Sequence, residues 1–289
     1  MKKYSAIFFD WDGTAVISRK APAHEACAAM KGLLSKGIPL AIISGTTYEN
    51  IAGGKLESFF TPQELQNLYL GLGRGAYQYA FTPEGKPYIF KNLELDKEGT
   101  LLIHQICFEI HQHLLKHYDL PTDIVFTRPN YCKIDLMPEH DRGDNLFLQS
   151  DELALLNKKL SQHSISGGLQ TLMILAADLG KEHGLKITST SDAKYLEVGI
   201  SSKSDNVNLI MARLMERGIK SEECVFFGDE YVGLEQGIFG SDSFMITDCT
   251  RVADFFDVSQ VQGERPKPVQ VVGGGVQTFL DFLRQQAEL

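Results

Sequence analysis

Two aspartates separated by one residue end an otherwise apolar or small stretch, "AIFFDWDGTAV" at residues 6–16. Placing carboxylates beside Phe8 and Phe9 is costly unless something neutralises them. Along an extended strand residues i and i+2 point to the same side, so Asp10 and Asp12 converge while Trp11 points away. Gly13 permits the tight turn that lifts the chain out of the strand. A third carboxylate, Asp229, ends a second apolar run in "VFFGDE". Brought together, the three make an oxygen-rich site suited to Mg²⁺, which would offset their repulsion and hold a phosphate oxygen. An EF-hand loop is excluded by register: its glycine comes sixth, whereas Gly13 comes fourth.

Such residues converge only if their strands lie side by side. "YSAIFF", "IPLAII" and "LYLGL" read as short buried strands, with "PAHEACAAMKGLLSKG" a helix closed by Gly37. Apolar strands alternating with helices are the pattern of a parallel sheet covered on both faces. In an open parallel sheet ligands bind beyond the carboxyl ends of the strands. Three strand ends carry polar chemistry: "FFDWDGT", "AIISGTT" and "VFFGDE". "AYQYAF" and "KPYIFKNL", joined by "TPEG", read as a hairpin.

The pattern changes near residue 95. Leu102, Ile106, Ile110 and Leu114 step by four, predicting a helix over 99–118. "DIVFTR" and "YCKIDLM" read as paired strands, and "SDELALLNKKLSQHS" as a helix capped by Ser150 or Asp151. "TLMILAA", "GLKITST" and "KYLEVGI" read as further strands. The α/β pattern then returns with a helix at "SKSDNVNLIMARLMERG", strands at "ECVFFGD" and "SFMIT", and a closing helix at "GGGVQTFLDFLRQQAEL". The expected organisation is a Rossmann-like α/β core of residues 1–94 and 187–289, with an α+β insertion at 95–186.

A chain of 289 residues can bury a sizeable core. The net charge of −9 argues against nucleic acid, whose partners are usually basic, yet leaves room for a small anionic substrate in a locally positive pocket. The 5 cysteines are scattered without a CxxC, so neither zinc nor a disulfide framework is indicated. No apolar run suits a signal peptide or a membrane span, and a cytoplasmic location is expected.

Taken in order, these motifs resemble the haloacid dehalogenase-like hydrolases. DxDGT after an apolar strand matches Asp10-Trp11-Asp12-Gly13-Thr14. Ser44 in "AIISGT" matches the second motif, Lys203 in "SSKSDNVNLIM" the lysine of the third, and Gly228-Asp229 the fourth. The insertion between the second and third motifs, and "KYLEVGISSKSDNVNLI" after it, resemble the Cof-like branch with a type IIB cap.

The resemblance implies roles. Asp10 would take the phosphoryl group as nucleophile, and Asp12 would protonate the leaving oxygen and then activate water. Ser44, Gly45 and Lys203 would grip the phosphate, while Asp10, Asp229 and the Asp12 carbonyl hold Mg²⁺. Phosphatase action on a small phosphorylated metabolite, most plausibly a sugar phosphate, is implied. The alternatives are a sugar-phosphate phosphomutase or a catalytically silent ligand-binding member.

The sequence departs from the branch's pattern at four places. Ser204 follows Lys203 instead of glycine, and Thr46 stands where arginine is common. Arg74 replaces the asparagine of an NGA segment in "GLGRGAYQYAF". The fourth motif lacks its usual second acid; Glu230, Glu235 and Asp242 are the candidates, with Glu235 favoured. "RPNYCKIDLMPEHDRGD" resembles cap strands that bind sugar phosphates, making Arg128, Asn130 and Lys133 candidate substrate contacts or, equally, edge-strand charges.

Three further features read as structural. His113 and His117 have a zinc-compatible spacing but no HExxH. "GLGRGA" precedes a hairpin and lacks the full dinucleotide fingerprint. Cys224 lies inside an apolar strand and reads as a core residue.

Overall fold

The computed structural model describes residues 2–142 and 151–289. Strand β1 (Ala6–Phe9) is buried throughout, and its side chains alternate between two cores. Ile7 and Phe9 join one apolar cluster, Ala6 and Phe8 the other. A strand apolar at every position therefore has a helix layer on each side of its sheet. The remaining strands of that sheet are β2 (Leu40–Ile43), β3 (Leu68–Leu72), β4 (Tyr77–Phe81), β5 (Pro87–Asn92), β10 (Cys224–Gly228), β13 (Asp254–Asp257) and β14 (Val269–Val271). Their order is β14-β13-β10-β1-β2-β3-β4-β5. All neighbours from β14 to β3 are parallel, and β4 and β5 close one edge as the expected antiparallel hairpin.

Helices α1 (His24–Leu34) and α7 (Gly275–Glu288) cover the first face, where Met30, Leu33 and Phe279 pack into the cluster of Ile7 and Phe9. Helix α6 (Lys203–Glu216) covers the second through Val207, Ile210, Met211 and Leu214. On that face Phe8, Phe226 and Phe255 stand in register on three adjacent strands and stack at centroid distances of 4.6 and 4.8 Å. A short helix, α2 (Pro62–Leu65), precedes β3.

The segment between β5 and α6 forms a second layer pair. Its antiparallel sheet, ordered β6-β7-β9-β8, comprises β6 (Asp123–Val125), β7 (Tyr131–Asp135), β8 (Thr188–Ser191) and β9 (Tyr195–Gly199). Helices α3 (Lys97–Tyr118), α4 (Glu152–Gln162) and α5 (Gly168–Glu182) belong to the same segment. Cys132, Ile134, Leu196 and Val198 point from the sheet into a core shared with Ile106, Ile110 and Leu172. The alternate residues, Tyr131, Lys133 and Glu197, line the cleft toward the large sheet, as the two-residue period of a strand requires. Asp151 stands at the start of α4 without a side-chain cap bond, and Ser150 lies outside the described residues.

Three expectations are corrected. "TLMILAA" lies within helix α5, whose buried Leu169, Leu172, Ala176 and Gly180 step by three and four; a short apolar run cannot separate a strand from a buried helix. "SFMIT" is not a strand: Ser241–Met245 is a 3₁₀ turn, and the strands of that region are β13 and β14. The boundary at 186/187 falls ahead of β8 and β9, which pair with β7 and not with the large sheet, so the inserted sheet runs to Gly199. A small hairpin of β11 (Gly233–Glu235) and β12 (Ile238–Phe239) is a further element that the sequence pattern does not announce. No helix among the described residues is long and apolar enough to cross a membrane.

Candidate active site

Asp10 follows β1 at its carboxyl end, two residues after Phe8 and so on the α6 side of the sheet. Lys203, the first residue of α6, meets it there with Nζ 3.1 Å from Asp10 Oδ1. The helix start is fixed by a capping box in which the Ser202 hydroxyl accepts from Ser204 N–H and the Asp205 carboxylate accepts from Ser202 N–H. Asp229 ends the neighbouring β10 and accepts a hydrogen bond from the Thr14 hydroxyl at 2.9 Å. Gly13 lets the two strand ends close up. Its φ is +84°, and a Cβ there would stand 2.2 Å from Asp229 Oδ2.

Asp242 completes the cluster. Ligand oxygens of Asp10, Asp229 and Asp242 lie within 4.8 Å of one another. Asp242 is fully buried; one carboxylate oxygen accepts from Asp229 N–H and Glu230 N–H at 2.9 and 2.8 Å, and the other accepts from Lys203 Nζ at 2.7 Å. These bonds draw residues 241–245 into a turn, because a side chain that satisfies nearby backbone donors competes with strand pairing. Glu235, favoured from sequence, is instead at the N-terminus of α5, accepting from Leu169 N–H at 2.7 Å. Glu230 lines the cleft and accepts from the Ser241 hydroxyl.

Burial and mutual repulsion dominate the electrostatics of this cluster. Burial, then Asp242 and Asp12, push the Asp10 carboxyl well above the usual carboxylate range, against the pull of Lys203. Burial, Asp242 and Asp10 do the same to Asp229, and burial raises Glu230 to about 7. Lys203 is held well above its ordinary value because Asp10 and Asp242 outweigh its burial. One lysine, 3.1 Å from Asp10 Oδ1, cannot balance these acids once all of them are ionised. An all-oxygen donor set with spare charge fits a hard divalent cation.

Around the cluster the cleft is built from both layers. Ser44 follows β2, and its hydroxyl accepts from Thr46 N–H at 3.3 Å; Gly45 stands between them on the cleft wall. Asp12 lies beside Arg19 at 3.1 Å, a partner that no motif announced. From the inserted sheet, Tyr131 donates its hydroxyl to Gly45 O at 3.3 Å, tying the two layers at the loop after β2. Lys133, Glu197 and Thr190 stand in register on β7, β9 and β8; the Glu197 carboxylate meets Lys133 Nζ at 2.6 Å and accepts from Thr190 at 2.9 Å. Arg128 also lines the cleft. The cleft holds a space of about 90 Å³.

Of the three substrate candidates, the structure puts Arg128 and Lys133 in the cleft and sends Asn130 elsewhere. The Asn130 amide donates to Leu93 O and Ser201 Oγ, and its oxygen accepts from Leu95 N–H. It joins the two chain crossings between the layers. Its φ of +63° is one that asparagine tolerates better than most residues. His113 and His117 form no three-membered metal group among the described residues. Cys224 is buried in β10, with its thiol pushed up to about 12 by burial.

No family model and no curated protein matches the sequence. Solved structures do match the fold over nearly the whole chain. An N-terminally truncated, IMP-bound IMP-nucleotidase of Plasmodium falciparum aligns with a TM-score of 0.60 at 13% identity, covering 99% of this chain and 69% of that one. Sucrose-phosphatase from Synechocystis, solved with sucrose and phosphate, aligns at 0.53 and 13%, covering 99% and 98%. A protein from Eubacterium rectale aligns at 0.52 and 14%, covering 98% of each. The chain shares the fold of these structures, a mostly parallel core sheet with an inserted antiparallel sheet.

Proposed function

We propose that this protein is a Mg²⁺-dependent phosphatase that hydrolyses a small phosphorylated metabolite, of the sugar-phosphate class, through an aspartyl-phosphate. The observation that carries the reading is the setting of Asp10. Its carboxylate ends a buried strand and faces Lys203 at 3.1 Å beside Asp229 and Asp242.

Asp10, Asp229, Asp242 and the Asp12 carbonyl would hold the ion, which when bound supplies charge neutralisation for an incoming phosphate. An Asp10 oxygen attacks phosphorus in line with the ester oxygen, the P–O bond to the alcohol breaks, and the Asp12 carboxyl gives that oxygen its proton. Asp12, now ionised, takes a proton from water as it attacks the acyl phosphate, releasing orthophosphate and restoring Asp10. Arg19 holds Asp12 in place for both steps. Ser44, the Gly45 backbone and Lys203 would bind the phosphate oxygens, and phosphoryl transfer is mostly positioning and charge stabilisation.

The test is release of orthophosphate from a panel of phosphorylated sugars, with and without Mg²⁺, beside Asp10→Asn. Turnover that needs Mg²⁺ and disappears in the variant is expected. A phosphorylated isomer as product in place of orthophosphate would establish the phosphomutase alternative, and binding without turnover the silent one.

A further inference from the structure

We propose that the substrate carries a carboxylate as a second anionic group, bound by Arg74 and Arg128 on the cap side of the cleft. This rests on the phosphatase reading of the same cleft and narrows it to a substrate class.

Arg74 sits in the turn between β3 and β4 with φ of +54°, a left-handed conformation costly for an arginine. Non-glycine residues held there often mark functional sites. Its side chain is 4% exposed. One guanidinium nitrogen donates to Thr188 O at 3.1 Å, the group lies 5.0 Å over the Tyr131 ring, and Nε is 3.8 Å from Glu197. The other terminal nitrogen, Nη1, is buried with no hydrogen-bond partner, and Arg74 lines the cleft. Leaving a buried cationic donor unsatisfied is unfavourable unless a ligand completes it.

Arg128 repeats the pattern. It lines the same cleft, its Nε is buried without a partner, and no carboxylate pairs with it among the described residues. Elsewhere in the cleft each cation has a carboxylate of its own: Lys203 has Asp10 and Asp242, and Arg19, whose Nε also lacks a hydrogen bond, has Asp12 at 3.1 Å. On the cap side Lys133 and Arg74 share Glu197, and the other acid there, Asp192, is paired with Arg142 at 3.0 Å. Three cations thus face one available carboxylate. Two guanidinium groups with free donors are suited to a planar carboxylate. The motif residues already supply Ser44, Gly45 and Lys203 for the transferred phosphate, so the arginines are left for another anion.

The experiment measures orthophosphate release from matched pairs, 6-phosphogluconate against glucose 6-phosphate and 3-phosphoglycerate against glycerol 3-phosphate. Wild type, Arg74→Gln and Arg128→Gln are compared. In at least one pair the acid member should be preferred in kcat/KM by about tenfold or more, the scale of one charge-assisted hydrogen bond, and each variant should bring that ratio toward unity. Equal use of both members by wild type would overturn the proposal. So would an equal loss on both members in the variants, which would assign the arginines to the transferred phosphate. Arg128→Gln, at a partly exposed position, guards against misfolding of the buried Arg74 variant. If no compound is turned over, calorimetric binding of the same four compounds decides separately from the reaction. Preference for the acid member that is lost in Arg128→Gln supports the subsite, and equal or absent binding overturns it.

Discussion

Asp242 Oδ1 lies 2.7 Å from Lys203 Nζ, although the two residues are 39 positions apart. The contact joins the start of α6 to the turn after β12 and makes Asp242, not Glu235, the acid that accompanies Asp229. Asp242→Asn is therefore expected to lose most of the Mg²⁺-induced rise in Tm. That rise corresponds to about 2.7 kcal/mol for wild type at a hundredfold excess over Kd. Glu235→Gln should keep the rise while losing about 1 kcal/mol, since Glu235 serves the N-terminal N–H groups of α5. Thermal melts with and without Mg²⁺ check both; a Glu235 variant blind to Mg²⁺ would reverse the assignment.

The contrast shows what the sequence can convey. Asp10, Asp12 and Gly13 are adjacent, and Ser44 and Asp229 each end an apolar strand, so their meeting follows from strand order. Asp242 has no such frame. It reaches Asp229 N–H through a turn 13 residues long whose hairpin, β11 and β12, lacks a strong turn signal. Strand β13 is hidden because "DFFD" is flanked by acids and holds only two apolar residues. Helix α5 reads as a strand because its apolar run is contiguous in sequence. Arg74 stands out as an unusual residue, but its orphaned nitrogen depends on Thr188 and Tyr131, which only the folded chain brings near it.

Asn130 gives a test that separates joining from substrate binding. Asn130→Ala removes three hydrogen bonds to residues 93, 95 and 201 and leaves alanine at φ +63°. A loss of about 3 kcal/mol in urea unfolding is expected, with Asn130→Gly recovering roughly 1 kcal/mol of it by removing backbone strain. A higher KM with stability unchanged would instead restore the substrate contact.

Glu197 predicts a pH dependence of stability. Burial pushes its carboxyl up, but Lys133 and Arg74 more than offset this and hold it at about 2, against an ordinary 4.5. A carboxylate with a depressed folded pKa contributes stability that is complete above its unfolded value and is lost as pH falls through the folded one. The contribution is on the order of 3 kcal/mol. Wild type should exceed Glu197→Gln in unfolding free energy at neutral pH, and the gap should shrink by more than half near pH 3. A gap constant over that range would mean that the ion pair with Lys133 adds nothing.

Gly13 offers a way to disturb the cluster without altering any of its carboxylates. Alanine at this position faces two separate penalties. Its φ of +84° costs an L-residue about 1–2 kcal/mol, and its Cβ would stand 2.2 Å from Asp229 Oδ2, so the carboxylate must move. Gly37, after α1, shares the first penalty with a φ of +78°, but a Cβ added there would meet no atom within 4 Å. Gly37→Ala should then lose about 1 kcal/mol and keep both turnover and the Mg²⁺ response. Gly13→Ala should lose both functions even in a folded protein, because Asp229 can no longer stand beside Asp10. Comparable Mg²⁺ responses in the two variants would show that the cluster tolerates displacement of Asp229, and its claim to be the metal centre would fall.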